Sequence, residues 1–176
     1  MIRILTDSVS NIPKELLQQY NIKVLPLRVH FGEAETYLDF DFEHVQIFKM
    51  IEEKPIFPNT TAPTINDFDQ AFAELTQETD QILVVCFSSG MSSTYQAAVL
   101  AAENYKDKAD IRIVDSKAVT LGFGLLVIEA ARMIENGATL DEVQERLEER
   151  KRKLNHLMII DNLDYLRRGG RVSSAA

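Results

Sequence analysis

The stretch ILVVCFSSGMSSTYQ, residues 82–96, organises the predicted fold. Its first six residues form an unbroken apolar run of the length of a buried strand. The run ends at Ser88-Ser89-Gly90, and the chain restarts at Ser92-Ser93-Thr94 with residues typical of a helix N-terminus. The first N–H groups of a helix have no intrahelical partner, and the helix dipole is positive there. This turn, which is rich in hydroxyl groups, is therefore predicted to bind an anion.

The composition of the whole chain restricts the class of protein. The 176 residues are 45% hydrophobic and 26% charged, which is typical of a globular protein. No apolar run approaches the ~20 residues of a membrane span, and the N-terminus has no signal-peptide layout. The net charge of −8 disfavours nucleic acid as the main partner, and the single cysteine, Cys86, excludes an internal disulfide. We expect a cytoplasmic protein without a membrane span.

Short apolar strands alternate with helices along the rest of the chain. Besides the central strand, we predict strands at 2–5, 23–31, 111–114 and 157–160. Residues 36–38 are expected to pair back onto the strand at 23–31. Pro26 marks the second of these as an edge strand or a bulge. We predict helices at 13–20, 42–53, 65–74, 92–105, 119–136 and 161–166, and another after Thr139. This alternation predicts an α/β fold with three layers, a mostly parallel sheet with helices on both faces.

Local patterns support several of these boundaries. Thr64 with Asp67 and Thr139 with Glu142 have the spacing of capping boxes at the starts of two helices. The G-x-G at 122–124 lacks the third glycine of a dinucleotide-binding turn, so we expect it to serve close helix packing.

Polar residues near predicted strand ends are candidates for a site. Asp7 and Ser8 follow the first strand, where an open α/β sheet places its ligands, although turn and cap roles explain them equally well. Thr60 and Thr61 lie in a segment held extended by prolines and have no local role in this interpretation. We therefore predict that these two threonines belong to a binding site.

Familiar catalytic patterns are missing around the central turn. The order of residues there does not fit the G-x-S-x-G of a nucleophile elbow, and no Gly-Lys-Ser/Thr of a P-loop occurs. A phosphate-binding thiolate loop after Cys86 lacks its arginine. The three histidines, His30, His44 and His156, show no spacing of metal ligands. The residues therefore indicate a binding site rather than a catalytic one, and we expect neither a metal nor a cofactor.

The chain resembles the DegV family of fatty-acid-binding proteins. The resemblance covers the whole chain in family order and is carried by five motifs: TDS at 6–8, TTAPT at 60–64, SSGMSSTYQ at 88–96, DSK at 115–117 with LGFG at 121–124, and LDYLRRGGR at 163–171. The sequence departs from the family's usual pattern at Ala62, where glutamine is common, and at Ser93, where glycine is common.

The resemblance implies a lipid carrier rather than an enzyme. It implies that the carboxylate of a long-chain fatty acid is held at Ser92, beside Ser93, with a hydroxyl of Thr60 or Thr61 across from it. Arg171 matches a position near the head group or the contact with a partner. In related proteins that act as the binding subunit of a fatty-acid kinase, the partner kinase phosphorylates the bound carboxylate. Family members also continue into a second domain that closes over the acyl chain.

We assign residues 1–160 to the N-terminal α/β domain and 161–176 to the beginning of a second lobe. We expect the sequence to be a truncated piece. Such a piece should bind lipid poorly on its own. One alternative is an enzyme or phosphate-binding domain that uses the same hydroxyl turn on a small molecule. Another is a structural fragment whose exposed apolar face favours self-association.

Overall fold

The computed structural model describes residues 1–39, 44–54, 56–157 and 159–172; the side chains of His44 and Val45 also lie outside the description. Seven strands and seven α-helices are described, with short 3-10 turns at Ser8–Ser10 and Glu103–Tyr105. The strands are β1 (Arg3–Asp7), β2 (Lys23–Leu25), β3 (Arg28–Phe31), β4 (Glu35–Leu38), β5 (Asn59–Thr61), β6 (Gln81–Cys86) and β7 (Asp110–Asp115). The helices are α1 (Lys14–Gln19), α2 (His44–Glu53), α3 (Ile65–Leu75), α4 (Thr94–Ala102), α5 (Thr120–Glu135), α6 (Leu140–Lys153) and α7 (Asp164–Arg168).

The main sheet is parallel throughout and has the strand order β2-β1-β6-β7. The central strand β6 is the predicted apolar run, and its side chains alternate between two cores. Leu83 and Val85 pack with α5 and α6 on one face, while Ile82 and Val84 pack with α3 and α4 on the other. A strand buried on both faces needs a continuous apolar sequence, which explains the pattern. The predicted three-layer α/β fold is confirmed.

The segment predicted as one strand over 23–31 is two strands in two different sheets. The first part, β2, is the edge of the parallel sheet; the second, β3, is the centre of a separate antiparallel sheet of order β4-β3-β5. The break falls at Pro26 and Leu27, because proline cannot donate to a strand ladder. The predicted pairing of residues 36–38 onto their neighbour is confirmed by β4. Thr60 and Thr61 do have a local role, since they form β5 against β3.

Both predicted capping boxes are present. Thr64 and Asp67 cap α3 reciprocally, and Thr139 and Glu142 do the same for α6. The close approach predicted for the glycines of α5 is confirmed at Gly124, where an added Cβ would lie 2.3 Å from the carbonyl oxygen of Ser10. This approach lets α5 pack directly on the 3-10 turn after β1.

The strand predicted at 157–160 is wrong for the described residues of that stretch. Leu157 and Ile159 are 94% and 90% exposed and belong to no sheet. Apolar residues form a strand only where a partner strand and a core cover them, and neither is present here. The following helix is α7, later than the predicted 161–166. The predicted helix at 42–53 is described from His44, and its first two residues lie outside the described ranges.

Across the described ranges, no helix is both long and apolar enough to cross a membrane.

Candidate functional site

The hydroxyl turn after β6 lies at the carboxyl end of the parallel sheet. The N–H groups of Met91 and Ser92 both donate to the Ser88 carbonyl, at 2.9 and 3.1 Å, which folds the chain back before α4. Helix α4 begins at Thr94, two residues later than predicted, because residues 88–92 are used in this tight turn. The turn places serine hydroxyls at the N-terminus of α4, as the sequence predicts.

Two carboxylates from neighbouring strands hold the turn in place. Asp7, at the end of β1, accepts the Phe87 N–H at 2.8 Å, and Asp115, at the end of β7, accepts the Ser89 N–H at 3.1 Å. Asp7 also accepts the Val9 N–H at 3.1 Å, which is the cap role considered for it. The turn is therefore attached to the strands on both sides of β6.

The two carboxylates differ in their electrostatic state. Burial raises the pKa of Asp7 to about 7, although its hydrogen bonds from backbone N–H groups oppose the shift. Burial also acts to raise the pKa of Asp115, but hydrogen bonds from Lys117 and Ser89 outweigh it and leave that pKa below its usual value. Lys117 Nζ lies 2.7 Å from both Asp115 Oδ2 and Ser89 Oγ. Asp115 is thus a charged partner of Lys117, whereas Asp7 forms no ion pair with any described residue.

The hydroxyl groups of the turn are in different environments. Ser92 Oγ and Thr94 Oγ1 are 2.7 Å apart, and Ser92 Oγ also accepts the Thr94 N–H at 3.3 Å. Ser93 is exposed and its side chain makes no capping bond. Ser88 is buried and accepts the Gly90 N–H, and Ser89 contacts Lys117. Only Ser92 and Ser93 face the cleft described next.

A cleft of about 560 Å³ brings the predicted site residues together. One wall is the hydroxyl turn and α4, with Ser92, Ser93 and Leu100. The other wall is β5 and the start of α3, with Thr60 and Thr61. Arg171 closes one side. The five residues predicted for the fatty-acid site therefore all line one cleft between the hydroxyl turn and β5.

Alternation along β5 separates the two threonines. Thr61 is opposite Arg28 in the register, and Thr60 is opposite the buried Val29, so the two point to opposite faces of the small sheet. Arg28 donates two hydrogen bonds of 2.8 Å to Asp67 in the first turn of α3. This ion pair fixes the face that carries Thr61 against the start of α3, which itself lines the cleft.

Arg171 reaches the turn from the other end of the chain. Its Nε donates to the Met91 carbonyl at 3.3 Å. The preceding helix α7 contacts Phe57. The ring centroid of Tyr165 lies 5.1 Å from that of Phe57, and Arg168 Cζ lies 5.6 Å from the same centroid. Residues 173–176 lie outside the described ranges, so the assignment of 161–176 to a second lobe stays a prediction.

Sequence reasoning missed His30 and gave Lys117 no role. His30 Nε2 lies 2.9 Å from Thr61 Oγ1, although 31 positions separate them in the chain. Only the alternation of β3 could have placed this ring on the face of Thr61.

Among the described residues, no group of acidic, histidine or cysteine side chains could hold a metal ion. Cys86 is buried, as predicted, and burial raises its pKa.

A larger cleft of about 1220 Å³ runs along α5 on the opposite face of the main sheet. Ile12, Leu121, Leu125 and Leu154 line it, with Arg132 and Arg150 at its rim. It contains none of the predicted site residues. Leu121 and Leu125 are exposed there, so α5 is buried on one side only.

Comparisons with known proteins agree with this fold. The family model described as "Uncharacterised protein, DegV family" matches residues 1–176. A DegV domain-containing protein of Caldanaerobacter subterraneus subsp. tengcongensis is 37% identical over 173 residues, which are 98% of this chain and 61% of that protein.

Two solved structures are similar over nearly the whole chain. The crystal structure of DegV, a fatty acid binding protein from Bacillus subtilis, has a TM-score of 0.89 and 31% identity, with 99% of this chain and 62% of that chain covered. A fatty-acid-binding DegV family protein from Thermus thermophilus has a TM-score of 0.88 and 32% identity, with 99% and 61% covered. The chain thus spans about three fifths of the length of the relatives it matches. On the match of the family model to all 176 residues, the chain belongs to the DegV family.

Proposed function

We propose that this chain binds a long-chain fatty acid, with the carboxylate in the cleft between Ser92 and Ser93 on one wall and a hydroxyl of Thr60 or Thr61 on the other. The observation that carries the proposal is that these serine and threonine residues and Arg171 line one cleft at the N-terminus of α4. The structural relatives from Bacillus subtilis and Thermus thermophilus, whose names state fatty-acid binding, support the choice of ligand.

The chemistry of the cleft suits a carboxylate. Hydroxyl and backbone N–H groups that donate to a carboxylate contribute roughly 1.5–3 kcal/mol each. The helix dipole of α4 adds a favourable field, and Arg171 adds a positive charge in an otherwise acidic chain. The acyl chain supplies most of the affinity, because each buried methylene contributes about 0.8 kcal/mol. The cleft therefore orients the ligand by its head group.

The alternative of a small-molecule enzyme is less well supported. A general base would need a free carboxylate or imidazole within reach of the ligand. Asp7 is engaged by two backbone N–H groups, and Asp115 is engaged by Lys117 and the Ser89 N–H. The two carboxylates nearest the turn thus hold its backbone and are not oriented toward the cleft.

We also propose that the bound carboxylate is presented to a partner kinase. Arg171 is exposed at the side of the cleft and would be accessible to such a partner. The test is ATP-dependent formation of an acyl phosphate, trapped with hydroxylamine, when the chain and a fatty acid are added to a fatty-acid kinase. Formation of the same amount of product with an Arg171→Ala variant would contradict the role given to this arginine.

Binding itself is tested by native mass spectrometry with palmitate and, as a neutral control, 1-hexadecanol. Because the chain alone is expected to bind lipid poorly, the readout is relative affinity: we expect palmitate to bind more tightly than 1-hexadecanol, with an affinity about tenfold lower in Ser92→Ala, the loss expected for one charge-assisted hydrogen bond. Ser89→Ala is the matched control, since Ser89 belongs to the same turn but not to the cleft. Equal binding of the alcohol and the acid, or an equal loss of affinity in Ser92→Ala and Ser89→Ala, would refute the proposal.

A further inference from the structure

His30 connects all three strands of the small sheet. It lies on the central strand β3, with Nδ1 2.9 Å from Thr36 Oγ1 on β4 and Nε2 2.9 Å from Thr61 Oγ1 on β5. Both ring nitrogens therefore have a hydroxyl partner. A side chain with two such bonds has a fixed position and fixes the rotamers of the threonines on either side.

The register places this contact on the face of the small sheet that turns toward the cleft. His30 and Arg28 are two residues apart on β3 and so share a face, and Thr61 is opposite Arg28 on that same face. Arg28 ties the face to Asp67 of α3, whose first residues line the cleft with Thr61. Thr61 thus both lines the cleft and contacts His30 through its hydroxyl group.

The two tautomers of the neutral imidazole have different consequences for Thr61. If Nδ1 carries the proton, it donates to Thr36, and the Thr61 O–H must donate to Nε2. If Nε2 carries the proton, it donates to Thr61 Oγ1, and the Thr61 O–H is free to donate elsewhere. A carboxylate accepts hydrogen bonds and has none to donate. Only the second tautomer allows Thr61 to bind a carboxylate in the cleft.

We propose that His30 is a positioning residue for the ligand carboxylate, holding the Thr61 oxygen through Nε2–H so that the Thr61 proton is directed into the cleft. The inference rests on the proposed function, because it specifies how one wall of that site is prepared. Ligand binding in turn selects the Nε2–H tautomer of His30, with the Thr36 hydroxyl donating to Nδ1.

The tautomer is observable in long-range ¹H–¹⁵N spectra of the imidazole rings. The chain has three histidines, so a His30→Phe variant assigns the ring. The probe is octanoate, with 1-octanol as the neutral control, recorded at about pH 8 to keep imidazoles neutral. We expect octanoate to shift His30 fully to the Nε2–H form and octanol to leave it unchanged. Thr61→Val removes this response, and Thr61→Ser, which keeps the hydroxyl, retains it.

Affinity gives an independent measurement. We expect His30→Phe, which retains an aromatic strand residue, to weaken octanoate binding about tenfold, as loss of an aligned donor to a charged group does. Octanoate-induced shifts at the Ser92 and Ser93 amides together with an unchanged His30 tautomer and unchanged affinity in His30→Phe would overturn this inference alone. Absence of any octanoate-induced shift at Ser92 would overturn the proposed carboxylate site and this inference with it.

Discussion

Replacing Asp7 by asparagine should remove most of a pH dependence of stability that the wild-type chain shows near neutrality. Burial raises the pKa of Asp7 from 3.8 to about 7, so between these values the folded chain keeps a proton that the unfolded chain has released. The folded state then binds more protons than the unfolded state. The free energy of unfolding therefore falls as the pH rises from about 4 to about 7, and this contribution is constant at higher pH.

The size of the effect follows from the same pKa. Between about pH 5 and the folded-state pKa of about 7 lie two pH units, each worth about 1.4 kcal/mol. The wild-type chain should thus lose about 2 to 3 kcal/mol of stability between about pH 5 and about pH 8 through this group. The lowered pKa of Asp115 keeps that carboxyl ionised over the whole interval.

The assay is urea unfolding followed by circular dichroism at both pH values, on the wild type and on Asp7→Asn. The difference between the two proteins at one pH cancels the contributions of the other titrating groups. We expect this difference to change by about 2 to 3 kcal/mol from the lower to the higher pH, in favour of the variant. The same difference at both pH values would show that Asp7 is ionised in the folded chain already at about pH 5, and the argument from its burial would be wrong.

Three further predictions concern packing and caps, each measured by urea unfolding. Gly124→Ala should cost about 2 kcal/mol, because the new methyl group would meet a backbone oxygen; Gly122→Ala is its control and should cost clearly less, since it meets only the exposed imidazole of His156. Arg28→Met should cost about 1 kcal/mol, and Asp67→Ala about 2 kcal/mol, because only the latter also removes the carboxylate half of the capping box, which accepts the Thr64 N–H; equal losses would contradict the separate role of the capping box. Phe72→Ala should cost about 3 to 5 kcal/mol, because the ring is fully buried between α3 and the sheet, and a loss below about 1 kcal/mol would contradict its place in the core.

Features set by neighbouring residues were predictable from the sequence. The two capping boxes depend on a spacing of three residues, and the course of β6 depends on six consecutive apolar residues. Ser92 and Thr60, which line the same cleft, were also singled out from the sequence. Their selection depended on the hydroxyl turn and on the family motifs, and the cleft that unites them depends on tertiary structure.

Features set by distant residues were not predictable in this way. The division of 23–31 between two sheets depends on which strands are available on either side of Pro26. The contact of His30 with Thr61 depends on the register of β5 against β3. The failed strand at 157–160 has the right residue types, but nothing in the described structure covers them, and a local pattern carries no information about burial.

The division at Pro26 and Leu27 has a consequence for how a ligand would be detected. One wall of the cleft is the turn that follows β6 of the main sheet, the other includes β5 of the small sheet, and the direct link between β2 and β3 is only two residues long. A carboxylate bound to Ser92 and Thr61 would therefore act as a noncovalent crosslink between the small sheet and the turn that follows β6. Its free energy of binding would appear as slower hydrogen exchange throughout β3, β4 and β5, including amides that never contact the ligand.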